Sequence, residues 1–237
     1  MGFFVSLEGG EGTGKTTQAK LLCDRLAAHG HRVVAVREPG GTDLGAYLRS
    51  YLKATSKPLT PEAELFLFVA ARSELVRRVI RPAMEAGSVV VADRYADSTT
   101  AYQGYGRRVP LRYIRNANEL ATGGLWPDIT VLFDAPLDVA LNRARTQGSL
   151  REEHQEPAGL DRAAESDKQR FERIGASFHR RVGAAYLKLA VQEPQRWVVL
   201  DAAQPAESLA ELVWRHVAER LDARSVSPTG AGRLPGL

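Results

Sequence analysis

The sequence predicts a three-layer α/β fold in which a five-stranded parallel sheet is covered by helices on both faces. Three observations support this prediction: short apolar runs recur along the 237 residues, helical patterns separate them, and a glycine-rich segment joins the first run to the first helical pattern. Strands that are apolar on both faces are typical of parallel sheets buried between two helical layers.

Five short apolar runs are interpreted as strands. The predicted strands cover residues 3–7, 32–36, 88–93, 128–134 and 197–201. Because helical segments lie between successive strands, the crossover connections are expected to be right-handed.

Helical spacing of apolar residues predicts the helices between these strands. The first helix is expected from Lys15 to about His29, with Gly30 as a stop signal. Two further helical patterns cover residues 43–54 and 60–86.

The chain length fits one domain, expected at residues 1–222. Residues 146–170 are polar and charged, contain arginines and are interrupted by Gly and Pro. We expect them to form a lid over the ligands, although a disordered surface loop has the same composition. Residues 223–237 contain too few apolar side chains to pack, which predicts a disordered tail.

Composition excludes several classes of protein. The single cysteine, Cys23, excludes an intramolecular disulfide, and no apolar run approaches the roughly 20 residues that span a bilayer. The first residues lack the features of a signal peptide, so we expect a cytoplasmic protein without a membrane partner. The net charge of +4 comes from scattered residues, which does not favour nucleic acid as a partner.

Residues 9–16, GGEGTGKT, match the P-loop pattern GxxxxGK[ST] between a predicted strand and a predicted helix. Glycines let successive backbone N–H groups converge on phosphate oxygens, and the start of the helix adds a positive end. Lys15 is expected to reach the β- and γ-phosphates of ATP, and Thr16 to ligate Mg²⁺. The predicted nucleotide-binding residues are Gly9, Gly10, Glu11, Gly12, Thr13, Gly14, Lys15, Thr16 and Thr17.

The residues after the third strand favour phosphoryl transfer over hydrolysis. Asp93 could hold the metal, and Arg94 beside it could bind a second phosphate. The guanine-reading Asn-Lys-x-Asp pattern and the DxxG switch of GTPases are both absent from the sequence. A kinase with a small phosphorylated acceptor is therefore favoured. A kinase of another small acceptor, a nucleotide sensor and a nucleic-acid-binding ATPase stay as alternatives.

The sequence resembles the thymidylate kinase family, especially its bacterial form, from about Phe3 to Leu221. The motifs that carry the resemblance are EGGEGTGKTT (8–17), REPGGT (37–42), FVAAR (68–72), DRY (93–95) and STTAYQ (98–103). The resemblance implies the P-loop nucleoside monophosphate kinase fold and the ATP-dependent phosphorylation of dTMP to dTDP on the route to dTTP. It also implies a homodimer that pairs through helices beside the sheet.

The resemblance also implies an acceptor site for dTMP. Phe68 would stack on thymine and Arg72, on the same helix face, would donate to the O4 carbonyl. By composition Phe66 is an equally good platform, and only the family spacing from Phe to Arg selects Phe68. The resemblance implies that Gln103 and Thr99 would hydrogen-bond the remaining edge of the base and that Tyr102 would lie against the sugar C2′. It further implies that Arg94 and Arg37 would bind the acceptor phosphate and that Arg49 and Glu38 would line the same pocket.

The bacterial form of the family implies that the lid supplies a catalytic arginine, because the P-loop carries Glu11 in place of one. Arg151 and Arg162 are the candidates, and the sequence does not choose between them. The family places Arg143 against adenine. Thr16 and Asp93 would position Mg²⁺.

Overall fold

The structure, a computed structural model, describes residues 2–54, 59–152 and 175–226. Five strands form one sheet in the order β2-β3-β1-β4-β5, and every neighbouring pair is parallel. The strands are β1 (Phe3–Gly9), β2 (Val33–Arg37), β3 (Val89–Asp93), β4 (Ile129–Asp134) and β5 (Trp197–Asp201). The predicted five-stranded parallel sheet is confirmed, and the first strand continues two residues beyond its expected end.

The helices alternate with the strands along the chain. They are α1 (Lys15–Ala28), α2 (Asp43–Ala54), α3 (Pro61–Leu75), α4 (Arg81–Glu85), α5 (Ala96–Thr99), α6 (Leu111–Thr122), α7 (Leu137–Glu152), α8 (Ala176–Gln192) and α9 (Ala206–Val226). Two π-helical stretches, Val76–Ile80 and Thr100–Gly106, continue α3 and α5. The predicted helix at 60–86 is thus one helical run with a wider turn inside it. In the part of the chain that the structure describes, no helix could cross a membrane.

The apolar core lies on both faces of the sheet. On one face α1 and α9 pack against the strands through side chains such as Leu26 and Val213. On the other face the helical run from α3 to α4 contributes Leu75 and Ile80, and α8 contributes a further cluster around Tyr186. The three-layer α/β arrangement expected from the strand pattern is therefore present.

Helix α9 corrects the predicted start of the tail. It continues to Val226, so residues 223–226 are helical. Arg224 pairs with the Asp128 carboxylate, and its guanidinium lies 5.9 Å from the centre of the Phe3 ring. These tertiary contacts stabilise the end of the helix, and composition alone does not reveal them. Residues 227–237 lie outside the described residues.

Helix α7 reaches Glu152, so the first residues of the predicted lid, 146–152, continue a helix. The rest of the predicted lid, 153–170, lies outside the described residues.

Candidate active site

The carboxyl ends of β1, β2 and β3 bring the predicted catalytic residues to one edge of the sheet. Strand β3 lies between the other two, and Asp93 at its end is in register with Leu7 of β1 and Arg37 of β2. The P-loop (9–16) follows β1, and Arg94 follows β3. Ligands of open parallel sheets bind beyond this edge, so the fold gathers these residues where a nucleotide site is expected.

The P-loop takes a backbone path that requires glycine. Gly12 has a φ of 73°, and a Cβ there would lie 1.9 Å from the Ala140 carbonyl oxygen. Gly14, with a φ of 87°, precedes the first residue of α1 and has no side chain to cap the helix. The first N–H groups of α1 therefore point toward the loop, where phosphate oxygens can accept from them.

Lys15 lies buried against the P-loop, with 7% of its surface exposed. Its ammonium donates to the Gly10 carbonyl and, at 3.3 Å, to Thr13 Oγ1. Burial, and next the charge of Arg94, lower the pKa of Lys15 to about 7. A bound phosphate would put anionic oxygens near the ammonium and favour its charged form.

Thr16, Asp93 and Arg37 form a cluster beside Lys15. The Thr16 hydroxyl donates to Asp93 Oδ2 at 2.7 Å, and Arg37 Nη2 lies 3.4 Å from the same oxygen. Burial on its own would raise the pKa of Asp93. Lys15, the Thr16 hydroxyl, Arg94 and Arg37 outweigh burial and lower that pKa, so the carboxylate is ionised at neutral pH.

The chemistry of this cluster fits Mg²⁺. Mg²⁺ is commonly held by one or two carboxylates together with substrate phosphates, and not by a cage of protein ligands. Over the described ranges, no group of three or more His, Cys, Asp or Glu side chains could hold a metal ion. Asp93 and Thr16 would thus be the protein's contribution to a site completed by the nucleotide.

Arg94 is held by its neighbours in an unusual conformation. Its φ of 75° is in the left-handed region, which a residue other than glycine adopts only when its surroundings enforce it. Nη1 donates to the Gly9 carbonyl at 3.0 Å, and Nη2 donates to Tyr102 Oη at 3.1 Å. Arg94 therefore contacts the P-loop directly.

Glu8 is a buried carboxylate at the end of β1, and sequence reasoning assigned it no role. It is fully buried and accepts hydrogen bonds from Tyr95 N at 2.8 Å and from Ser98 Oγ at 2.6 Å. Burial, and next repulsion from Asp97, raise the pKa of Glu8 to about 7. The signals in the sequence were its place at the start of the motif EGGEGTGKTT and an acidic residue directly after an apolar run.

Arg72 lies in a buried network, with 1% of its surface exposed. Nε donates to Glu38 Oε2 at 2.9 Å, and Nη2 donates to the same carboxylate and, at 2.9 Å, to Thr99 Oγ1. Nη1 donates to Asn118 Oδ1 at 2.7 Å, a partner that sequence reasoning missed. Most donors of Arg72 therefore bind the protein. An Nη1 group carries two hydrogens, which leaves one for the base carbonyl predicted from the sequence.

Phe68 and Phe66 lie on different faces of α3. Phe66 is 66% exposed, whereas Phe68 is half-buried and lies four residues before Arg72. Residues four apart share a helix face, so Phe68 is the one beside the buried arginine.

A second carboxylate, Glu64, contacts Gln103. Gln103 Nε2 donates to Glu64 Oε1 at 2.7 Å, and Arg107 Nη2 donates to Glu64 Oε2 at 3.0 Å. Gln103 itself is buried. Glu64 therefore fixes which end of the Gln103 amide is the donor, and sequence reasoning gave no role to Glu64.

A cavity of about 350 Å³ adjoins the P-loop. It is lined by P-loop residues, by the start of α1, by Arg143 of α7 and by the loop at 202–206. The Arg143 guanidinium donates to the carbonyls of Ala202 and Ala203, and Gln18 Nε2 donates to the Ala206 carbonyl at 2.8 Å. This cavity is next to the P-loop and is lined by Arg143, the arginine predicted to contact adenine.

Comparison with known proteins agrees with this geometry. The family model described as thymidylate kinase matches residues 7–213. The chain belongs to the thymidylate kinase family. The predicted family and the predicted reaction, ATP-dependent phosphorylation of dTMP to dTDP by a phosphotransferase, are thereby confirmed.

Curated relatives support the same membership. A thymidylate kinase of Thermomicrobium roseum is 44% identical over 96% of this chain and 100% of its own length. A thymidylate kinase of Synechococcus sp. (strain JA-3-3Ab) is 46% identical over 92% of this chain and 96% of its own. A thymidylate kinase of Deinococcus radiodurans is 45% identical over 92% of this chain and 98% of its own.

The remaining residues implied by the likeness to thymidylate kinases have different outcomes. Arg49 Nη1 donates to the Pro39 carbonyl at 3.4 Å, which anchors α2 beside the strand end that carries Glu38. The side chain of Arg151, at the end of α7, and the whole of Arg162 lie outside what the structure describes. The choice between these two arginines stays open.

Proposed function

We propose that the chain carries out its reaction, transfer of the γ-phosphate of ATP to dTMP, through two phosphate sites that share the P-loop. Lys15 and the P-loop N–H groups would hold the donor, and Arg94 would bind the acceptor phosphate. The observation that carries the proposal is the hydrogen bond from Arg94 Nη1 to the Gly9 carbonyl at 3.0 Å. It brings the second cation against the same loop as Lys15, so donor and acceptor phosphates would meet there.

Phe68 and Arg72 would bind the thymine ring. The half-buried Phe68 ring offers an aromatic face for offset stacking. The remaining N–H of Arg72 Nη1 would donate to thymine O4. A cytosine would present its own amino donor there, and two facing donors would disfavour dCMP.

Gln103 would read the other position of the base edge. Because its Nε2 donates to Glu64, its carbonyl oxygen Oε1 is left as the group for the base. That oxygen can accept from the N3–H of thymine, whereas cytosine N3 has no hydrogen to donate. A donor at Arg72 and an acceptor at Gln103 would together complement the O4 and N3–H groups of thymine. Cytosine presents the opposite pattern at these two positions and would be disfavoured.

Tyr102 would lie against the sugar C2′, next to the arginine that would bind the acceptor phosphate. Its hydroxyl accepts from Arg94 Nη2 at 3.1 Å, and its ring lies 4.9 Å from the Arg94 guanidinium carbon. The side chain thus adjoins the phosphate-binding arginine, where it could exclude a ribose hydroxyl as the family implies.

Phosphoryl transfer at this site would need alignment and neutralisation of charge. The acceptor is already an anionic phosphate oxygen, so no general base is required. Lys15 and Arg94 would orient the two phosphates, and Arg37 would add positive charge beside Asp93. Mg²⁺, held by Asp93 and Thr16, would neutralise charge on the β- and γ-phosphates.

A homodimer, predicted from the family, is also part of the proposal. Helices α3 and α6 pack against each other and carry exposed apolar side chains, among them Phe66 (66%) and Leu120 (84%). Light scattering should give twice the chain mass, and Leu120→Glu should halve it. Val191→Glu, at an 80% exposed site on α8, is the matched control and should leave the dimer intact.

The cytoplasmic location stays a prediction from the sequence.

The nucleotide assignment can be tested with a panel of monophosphates. Formation of ADP with dTMP, dCMP, UMP and AMP as acceptors should show dTMP preferred by a wide margin in kcat/KM. Equal turnover of dCMP would refute the base-edge assignment, and no turnover of dTMP would refute the proposed reaction itself.

A further inference from the structure

Arg94 donates to two further hydroxyl groups in addition to the Gly9 carbonyl and the Tyr102 hydroxyl. Its Nη1 donates to Ser98 Oγ at 3.2 Å and to Tyr186 Oη at 3.3 Å. Tyr186 comes from α8, 92 residues away along the chain. Both hydroxyls are buried, and they lie 2.8 Å from each other.

The same two hydroxyls contact the carboxylate of Glu8. The Ser98 hydroxyl donates to Glu8 Oε2 at 2.6 Å, and the Tyr186 hydroxyl donates to that oxygen at 3.0 Å. Glu8 therefore lies behind the hydroxyls, on the side away from Arg94, and the two charges interact through Ser98 and Tyr186.

The directions of these hydrogen bonds are coupled. Each hydroxyl has one hydrogen, which it gives to the Glu8 carboxylate or to the other hydroxyl. The oxygen of each hydroxyl is then left to accept from Arg94 Nη1. An ionised Glu8 thus makes Ser98 and Tyr186 acceptors on the side that faces the arginine.

We propose that Glu8, Ser98 and Tyr186 form a buried relay that positions Arg94 for binding the acceptor phosphate. The proposal rests on the role given to Arg94 under the proposed function. Arg94 has a left-handed backbone, a strained conformation that persists only because the contacts around it compensate for the strain. The relay and the Gly9 carbonyl bind Nη1, and this leaves Nη2, with Tyr102, toward the phosphate.

Tyr186→Phe is the most informative variant, because it removes one relay hydroxyl and keeps the ring that packs against Tyr102 and Trp197. Assays at about pH 8, above the pKa of Glu8, keep the carboxylate ionised. Since a hydrogen bond to a charged group contributes more than a neutral one, kcat/KM for dTMP should fall roughly 10-fold to 100-fold. The KM for ATP should stay within about threefold, because the P-loop contacts are unchanged.

Glu8→Gln tests the direction of the hydrogen bonds. Its amide N–H would donate to a relay hydroxyl and turn that hydroxyl's hydrogen toward Arg94, so the loss should at least equal that of Tyr186→Phe. Ser6→Ala is the matched control. Ser6 donates to the other oxygen, Glu8 Oε1, at 3.0 Å and contacts neither relay hydroxyl, so kcat/KM should stay within about twofold.

A double-mutant cycle separates positioning from general stability. If Tyr186 acts through Arg94, adding Tyr186→Phe to Arg94→Ala should cause no further loss of dTMP turnover. The relay is refuted if the two losses multiply, or if folded Tyr186→Phe protein keeps wild-type kcat/KM for dTMP. Failure of the wild-type protein to phosphorylate dTMP would instead refute the proposed function.

Discussion

Replacing Glu38 with alanine removes one side of a fully buried ion pair. Arg72 is 1% exposed and Glu38 is 4% exposed. The arginine donates to both carboxylate oxygens of Glu38, through Nε at 3.1 and 2.9 Å and through Nη2. Glu38→Ala therefore leaves a buried guanidinium without its counter-charge. Breaking one partner of such a pair lowers the free energy of unfolding by about 3–5 kcal/mol.

The loss can be measured by urea denaturation and checked by thermal unfolding. For a chain of this size each kcal/mol shifts the Tm by about 2–4 °C, so the expected drop is roughly 6–20 °C. Glu74→Ala is the matched control, because Glu74 pairs with Arg78 on the surface, where the side chains are 37% and 70% exposed. An exposed pair of this spacing contributes only about 0.3–0.5 kcal/mol. If Glu38→Ala cost no more than Glu74→Ala, Arg72 would not depend on Glu38 for its burial.

Three further outcomes follow from the site. Burial lowers the pKa of Lys15 to about 7, so at about pH 8 its ammonium should take up most of a proton when ATP binds. Calorimetry in buffers of different ionisation enthalpy should detect this proton uptake, and zero uptake would contradict the lowered pKa. Asp93→Asn should raise the Mg²⁺ concentration needed for half-maximal turnover, and an unchanged requirement would argue against Asp93 as a ligand. Glu64→Gln should free the Gln103 amide to rotate and lower the preference for dTMP over dCMP roughly tenfold, corresponding to about 1.4 kcal/mol; an unchanged ratio would mean that Glu64 does not set the amide.

The donor half of the site could be predicted because its residues are contiguous in the chain. The P-loop needs glycines, a lysine and a hydroxyl in a fixed order between a strand and a helix, and that order is visible in residues 9–16. The strands were equally accessible, since short runs such as 89–93 are apolar on both faces. Most of the fold and the donor half of the site could therefore be predicted from apolar periodicity and from the local P-loop motif.

The proposed acceptor half depends on partners that are distant in sequence. Arg72 binds Glu38, 34 residues away, and Tyr186 binds Glu8, 178 residues away. No spacing rule connects such residues, because the helices and crossovers between them decide which side chains meet. Only the likeness to a family selected Arg72, and it did not predict that most of its donors would bind the protein.

Both arginines of the proposed acceptor site are connected to an acid at a strand end, Arg72 directly to Glu38 and Arg94 to Glu8 through the Ser98 and Tyr186 hydroxyls. Glu8 ends the apolar part of β1, and Glu38 follows the last residue of β2, with its N–H donating to the Asp93 carbonyl at 3.1 Å. The backbone of the sheet fixes the register of these strands, so it also fixes the two carboxylates. Glu38 binds Nε and Nη2 of Arg72 directly, whereas the hydroxyls that contact Glu8 bind Nη1 of Arg94, so few donors of either arginine are left for a ligand. Groups held on rigid elements keep a more accurate geometry than groups on loops. Under the proposed function, with Arg72 at the base and Arg94 at the acceptor phosphate, the sheet would determine the separation between these two arginines, and with it the size of the monophosphate that fits.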